Sequence, residues 1–372
     1  LGHDLDTLQL EKSCVLTTKK FPVLRACFPE ISGRFWQVIL HQLEKPFSVV
    51  EVDDLTQSFH NFCLRDASDF SPTQPPLAFV LLRHKSQGNR LVLRISHAQY
   101  DGFSLPIIVG TLLAYYHDKA PLNAPDFSLF LSYAAQHRSA SIAYWKKLLQ
   151  GSSPVTIQDI SKKLLLQGCV QDSPPEGFLA EAETTMPRLS GNITSATLVS
   201  TAWAVLLARL IGRDDITYGH LIAGRNSALR GIEHIVGPCI NIVPVRVKIP
   251  AVVKPTDLLR SVQEQFLAVG EADSLGFADI IKHCTDWRTT SRFDINIQHQ
   301  NIDEHPEFTF QGTKNRLQFF QYPNILPMSQ IHLMCYPEHG RLRINLTTDT
   351  SIMCKETANS LLASLMKIIR QL

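Results

Sequence analysis

The run Arg90-Leu91-Val92-Leu93-Arg94-Ile95 largely alternates apolar and polar residues, and the helical stretch Leu105–Tyr116 lies just beyond it. A half-buried strand feeding directly into a helix commits this part of the chain to a mixed α and β architecture. Between the two lies Ser96-His97-Ala98-Gln99-Tyr100-Asp101-Gly102-Phe103-Ser104. One imidazole and one carboxylate, four residues apart, thus sit on a turn leaving a strand. That is a natural place for a general base and for a group that fixes the shape of its loop.

The same reading extends along the chain. A helix tail precedes Phe21-Pro22-Val23-Leu24-Arg25, and two strand-like runs, 24–28 and 35–40, flank a turn at Ser32-Gly33. Residues 77–83 and 91–95 form a hairpin around Ser86-Gln87-Gly88-Asn89. Pro121-Leu122-Asn123-Ala124-Pro125 ends a first lobe, and a helix over 128–149 leads away from it. Further on, Thr194 and Gly212 bracket a long helix with Leu198, Ala202, Val205, Leu206 and Leu210 at helical spacing. Trp203 on this helix reads as core. Strands follow near 216–222, 238–249, 293–297, 331–335 and 342–346, and a last helix runs over 355–372. The expectation is an α+β protein with two lobes, 1–125 and 126–372, and the His97 loop near their junction.

Composition narrows the function. The chain has 372 residues, 44% hydrophobic, with 36 basic against 34 acidic residues and a net charge of +2. There is no basic run with interleaved aromatics, so no nucleic-acid partner is expected. No apolar run reaches the roughly 18 residues of a membrane span, so the setting reads as cytoplasmic with no membrane partner. The eight cysteines lack C-x-x-C spacing and read as small, reduced core residues. No metal site is expected, and His283, Cys284 and Asp286 do not have ligand spacing. G-x-G-x-x-G, the P-loop and G-x-S-x-G are all absent, which argues against nucleotide folds and α/β-hydrolase thioesterases. A start at Leu1 points to a piece of something longer.

At this point a family resemblance enters. Ser96-His97 to Ser104 resembles the S-H-x-x-x-D-G-x-S signature of terminal condensation-like domains in fungal non-ribosomal peptide synthetases. The commoner motif of that condensation-domain family is H-H-x-x-x-D-G, and here Ser96 replaces the first His. Phe21-Pro22-Val23-Leu24-Arg25 is similar to its early H-P-x-L-R segment. Gly224-Arg225-Asn226 with Val236-Gly237-Pro238-Cys239-Ile240-Asn241-Ile242-Val243-Pro244-Val245-Arg246 is similar to its G-R…V-G-P-x-x-N-x-x-P-x-R stretch. His283 to Trp287 and Gln298-His299-Gln300-Asn301 resemble a block common in fungal members. The extreme N-terminal part of the family pattern is not matched.

The resemblance implies two chloramphenicol-acetyltransferase-like lobes in a V-shaped pseudo-dimer with a central tunnel for carrier-bound thioesters. It implies a cyclase domain that frees a carrier-bound peptidyl thioester by attack of the peptide's own nitrogen, with His97 as base or positioning group. It further implies that Asp101 pairs with an arginine, for which Arg225 is the candidate. Gly102 would allow close backbone approach and offer its N–H to an oxyanion. Ser104 reads either as a polar tunnel contact or as the cap of the following helix. Ser96, Asn296, Gln298 and His299 complete the candidate tunnel set. His299 also reads as a satisfied structural histidine. In residues 293–298 the polar side chains Asp294, Asn296 and Gln298 alternate with apolar ones, facing either solvent or a wet tunnel.

No tightly bound cofactor is expected. Phosphopantetheine would arrive on the upstream peptidyl carrier domain of the same synthetase, with the domain itself a monomer. The main alternative is an ordinary condensation domain joining two carrier-bound units, as in siderophore assembly lines. A CoA-dependent acyltransferase shares H-x-x-x-D-G, but the D-F-G-W-G segment of the plant enzymes is absent. A degenerate docking module would be expected to have lost His97 or Asp101, and both are present.

Overall fold

A computed structural model of the chain describes residues 1–2, 4–66, 71–164, 176–189, 191–300, 306–320 and 329–372. In chain order the elements are α1 (Thr7–Lys20), a 3-10 turn (Pro22–Arg25), β1 (Ala26–Cys27), β2 (Glu30–Ile31), β3 (Arg34–Phe35), β4 (Val38–Ile39), β5 (Phe47–Glu51), α2 (Leu55–Asp66), β6 (Ala78–His84), β7 (Gly88–Arg94), α3 (Ser104–Tyr116) and α4 (Phe127–Leu149). Then come α5 (Ile157–Leu164), β8 (Gly177–Thr185), α6 (Ser195–Ile211), β9 (Asp215–Ile222), β10 (Asn241–Lys248), α7 (Pro255–Val269), α8 (Phe277–Cys284) and β11 (Ile295–His299). The last are β12 (Glu307–Phe310), β13 (Thr313–Arg316), β14 (Ile331–Glu338), β15 (Arg341–Asp349) and α9 (Lys355–Ile369). No helix among the described residues is long and apolar enough to cross a membrane.

The chain divides into two compact units, though not at a single point near residue 125. The first holds residues 1–133, 229–239 and 302–322; the second holds the rest. In the first unit β5, β6 and β7 form a three-stranded sheet in that order. β5 runs parallel to β6, and β6 pairs antiparallel with β7. Phe79 and Leu81 of β6 pack with Leu10 and Cys14 of α1 and with Ile108 and Leu112 of α3. The β2–β3 hairpin turns at Ser32 and Gly33, at φ 53° and 73°, the two-residue geometry that follows the twist of its strands. Asn89 of the edge strand β7 exchanges both backbone hydrogen bonds with Leu1.

The second unit is built on a six-stranded sheet in the order β10-β9-β11-β14-β15-β8. β11 lies parallel to both β9 and β14, and the other pairs are antiparallel. Helix α6 starts where Thr194 Oγ1 accepts from Thr197 N–H (3.1 Å) and stops at Gly212, φ 69°. Those are the cap chemistries the sequence carries at both ends. One face of the sheet, with Ile295, Ile297, Leu333 and Ile344, packs on Leu198, Ala202 and Trp203 of α6 and on Leu362 and Leu365 of α9. Arg246 grips Asp215 through two parallel bonds (2.9 and 2.6 Å) and donates to the carbonyls of Leu148 and Gln150 at the end of α4. It is a structural clamp, and its guanidinium holds the Asp215 carboxyl below the usual carboxylate range.

Cys14, Cys27, Cys63, Cys239, Cys284 and Cys335 are free and buried. Cys354 differs from the expectation of reduced thiols, being disulfide-bonded. Cys169 and most of the Pro-rich loop at 171–177 lie outside the described residues.

Candidate functional site

The loop leaving β7 projects His97 to the surface. Its Nδ1 lies 2.9 Å from the carbonyl oxygen of Tyr100, and its ring stacks on the Tyr100 ring at 4.7 Å and 14°. A carbonyl can only accept, so neutral His97 carries its proton on Nδ1 and presents the lone pair on Nε2. That is the form a general base needs. Ser96 shapes the same turn: its Oγ accepts from Ala98 N–H (3.2 Å) and its carbonyl from Gln99 N–H (2.8 Å).

Gln99 is the residue the sequence reading missed. It is fully buried, and its amide donates to the carbonyls of Leu24 (2.9 Å) and Val23 (3.3 Å). The early Phe21-to-Arg25 motif and the His97 loop are therefore one construction. A 3-10 turn leaves carbonyls unsatisfied, and a glutamine from the loop fills them. The signal available was a buried-type environment on both sides of a residue with two donors. Arg25 closes the other end of this turn, donating to the carbonyl of Leu40 and to that of Thr18 in the last turn of α1.

Asp101 is wholly buried. Its Oδ1 accepts from Ser104 N–H (2.9 Å) and Ser104 Oγ (2.8 Å), and its Oδ2 from Cys239 N–H (3.0 Å). Ser104 Oγ also lies 3.1 Å from the Gly237 carbonyl and accepts from Gly237 N–H at 3.0 Å. Ser104 is thus neither a tunnel contact nor the cap. Phe103 stands at the cap position of α3, and Ser104, fully buried at 0% exposure, bridges the loop to residues 237–239. Asp101 supplies the oxygen that receives the first helical N–H. Gly237 has to be glycine here: a Cβ would fall 2.3 Å from the Phe127 ring. Gly102 is exposed at the turn beside Asp101.

Arg225 follows Gly224, which has φ 61°, and belongs to the second unit, whereas Asp101 belongs to the first. In β11 the candidates separate by face. Asn296 is 2% exposed and crowds Gly219 across the sheet, where a Cβ would sit 1.9 Å from its Oδ1. Gln298, on the same face, donates to Gln300 (2.9 Å) and lies 3.3 Å from His332 Nε2. His299 has the opposite parity, like Ile295 and Ile297, and sits edge-on to His220 at 5.4 Å. It cannot share a wall with Asn296 and Gln298, because successive strand side chains alternate. Burial, with help from His220, holds His299 well below its usual range, so it stays neutral. Neither ring nitrogen has a hydrogen bond among the described residues. Asp294 lies just before the strand, where its Oδ2 accepts from Ile157 N–H at the start of α5 (2.8 Å). Among the described residues no cluster of His, Cys, Asp or Glu could hold a metal ion.

Comparison with known proteins places this geometry in context. The condensation domain family model matches residues 1–372. The chain is 45% identical over 370 residues to nonribosomal peptide synthetase dtxS1 of Metarhizium robertsii, covering 100% of this chain and 5% of that protein. It is 41% identical over 379 residues to nonribosomal peptide synthetase 30 of Fusarium vanettenii, covering 100% of this chain and 6% of that protein. It therefore spans only a small part of these relatives. Among solved structures, the crystal structure of CT superimposes with TM-score 0.82 at 23% identity, over 100% of this chain and 84% of that one. The X-domain from teicoplanin biosynthesis gives 0.78 at 17%, over 100% and 88%. These likenesses establish the fold, of the chloramphenicol-acetyltransferase-like α+β type.

Proposed function

The chain belongs to the condensation-domain family, and from that premise we propose that it releases a carrier-bound peptidyl thioester by attack of one of the peptide's own nitrogens. The observation that carries this reading is the exposed His97, whose Nδ1 lies 2.9 Å from the Tyr100 carbonyl oxygen, so that the neutral ring carries its lone pair on Nε2. In the proposed step the nitrogen attacks the thioester carbonyl and its proton passes to Nε2. A C–N bond forms, the C–S bond breaks, and the departing thiolate takes the proton back from Nε2. A positioned base of this kind typically contributes ~10²–10⁴-fold. Gly102 N–H is the proposed donor to the oxyanion. Asp101 is poorly suited to be the base, since both its oxygens already accept from loop and backbone donors. Arg225 is retained as its proposed countercharge, to be tested by a double-mutant cycle. Asn296 is buried against Gly219, so of the β11 pair the half-buried Gln298 is the proposed contact of the substrate arm.

The thioester would be presented on the phosphopantetheine arm of an upstream carrier domain. The lack of a nucleotide-binding signature supports this over a free CoA ester, and a tether supplies a local concentration on the order of millimolar. The test is incubation with a synthetic peptidyl thioester on an excised carrier domain, with the product weighed by mass spectrometry. A product lighter by water than the free acid supports cyclisation. The free acid, or a product joined to a second carrier-bound unit, overturns it. Equal turnover of the CoA ester, saturating at low micromolar levels, would overturn the carrier assignment.

A further inference from the structure

We propose that Tyr100 is the positioning residue of His97: its carbonyl selects the tautomer and its ring fixes the plane of the imidazole. The inference rests on the release reading above for its kinetic consequence, but its structural half stands separately.

His97 is exposed, so nothing about burial holds its ring in one orientation. An exposed imidazole samples several rotamers and two tautomers, and only one combination points an unprotonated Nε2 outward. Tyr100 constrains it twice. The carbonyl at 2.9 Å from Nδ1 accepts the ring proton. The phenol ring lies beneath the imidazole at 4.7 Å, nearly parallel at 14°. A single hydrogen bond leaves the imidazole free to rotate about the bond axis, whereas a stacked face removes that rotation. The two contacts together define a plane and a direction.

The support is itself rigid. Tyr100 is partly buried, and with Phe79, Leu91, Leu105 and Phe310 it lines a cavity of about 600 Å³ inside the first unit. Burial raises its hydroxyl above the usual range, so the ring under His97 stays uncharged. On either side of it in sequence, Gln99 and Asp101 are both fully buried and bonded to other segments of the unit. The backbone carbonyl at position 100 is therefore pinned from both neighbours. This is the arrangement that makes a reacting group precise: locked supports beneath a side chain that must face outward.

Two measurements test it. In protein labelled with ¹⁵N-histidine, with the His97 signal identified by its loss in His97→Ala, the parent is expected to show Nδ1–H and a bare Nε2 at pH 8. Tyr100→Leu keeps the backbone carbonyl and should keep the Nδ1–H tautomer. Its kcat for release should fall about threefold to tenfold, the loss of one stacked aromatic pair, with KM unchanged. Tyr100→Phe keeps the face and should retain the parental kcat. Tyr100→Met, of similar volume without a face, serves should the leucine variant fail to fold. An Nε2–H tautomer in the parent overturns the proposal, as does a face-less variant with parental kcat. If the parent releases no peptide, the release reading fails, while the tautomer measurement still decides the role of Tyr100.

Discussion

Asp273 offers a quantitative test of the second unit. It is wholly buried, and burial pushes its carboxyl up from 3.8 to about 6. The Asn226 backbone eases the charge slightly, but neither oxygen has a hydrogen bond of normal geometry among the described residues. An acid whose folded pKa is raised binds its proton more tightly in the native state. Stability from this group is therefore fullest below pH 3.8 and is lost as pH rises to about 6. The ionised form costs about 3 kcal/mol at pH 7.5, at 1.36 kcal/mol per tenfold. Asp273→Asn has the same shape, keeps one acceptor and never ionises. Any fixed cost of the amide is equal at all pH values, so the pH dependence carries the test. The variant should gain about 2.5 kcal/mol on the parent between pH 4 and 7.5, with about 1.5 kcal/mol of that gain falling above pH 5. His220 and His332, lowered to about 4 by burial, act in the opposite sense. They lose stability as pH falls below 6.5, but they are present in both proteins and cancel. Urea unfolding read by tryptophan fluorescence suits the question, because Trp145, Trp203 and Trp287 lie in the second unit. A difference between variant and parent that stays flat with pH would refute the reasoning.

Other outcomes follow from the first unit. His97→Ala should lose on the order of 10²-fold or more in release with unchanged circular dichroism; turnover within tenfold of the parent would remove the base assignment. Gly237→Ala drives a Cβ into the Phe127 ring and should destabilise by about 1–3 kcal/mol, measured as a lower urea midpoint that Phe127→Leu partly restores. Gln99→Leu strands the carbonyls of Val23 and Leu24, a loss of about 1–3 kcal/mol, and should lower release without a matching change in KM for the carrier.

Local pattern carried much of this fold. The hairpin at 84–88, the caps of α6 and the strand-turn-helix around His97 all have short-range chemical causes, and the sequence displays them. β5 and α2 escaped because Phe47-Ser48-Val49-Val50-Glu51 leaves four of its five residues exposed and shows no clean alternation. Gln99 escaped because its partners lie 75 and 76 residues away. Ser104 was misjudged for the same reason: its decisive partner, Gly237, is 133 residues distant. The face of His299 was readable, since period-two alternation alone separates it from Asn296 and Gln298. What local rules could not supply was the return of 229–239 and 302–322 to the first unit, which depends on tertiary packing.

That return has a consequence for synthesis on the ribosome. The buried Asp101 receives Cys239 N–H across 138 residues, so its loop is complete only after residue 239 has emerged. At roughly 5–20 residues per second, the carboxylate waits about 7–30 seconds for that partner. During that interval α3 can pack on α1 and β6, but the Asp101 and Ser104 end of the loop lacks its partners at 237–239. A gene fragment ending at residue 125 would make the wait permanent. The loop around His97 is thus completed only by chain that is made 138 residues after Asp101.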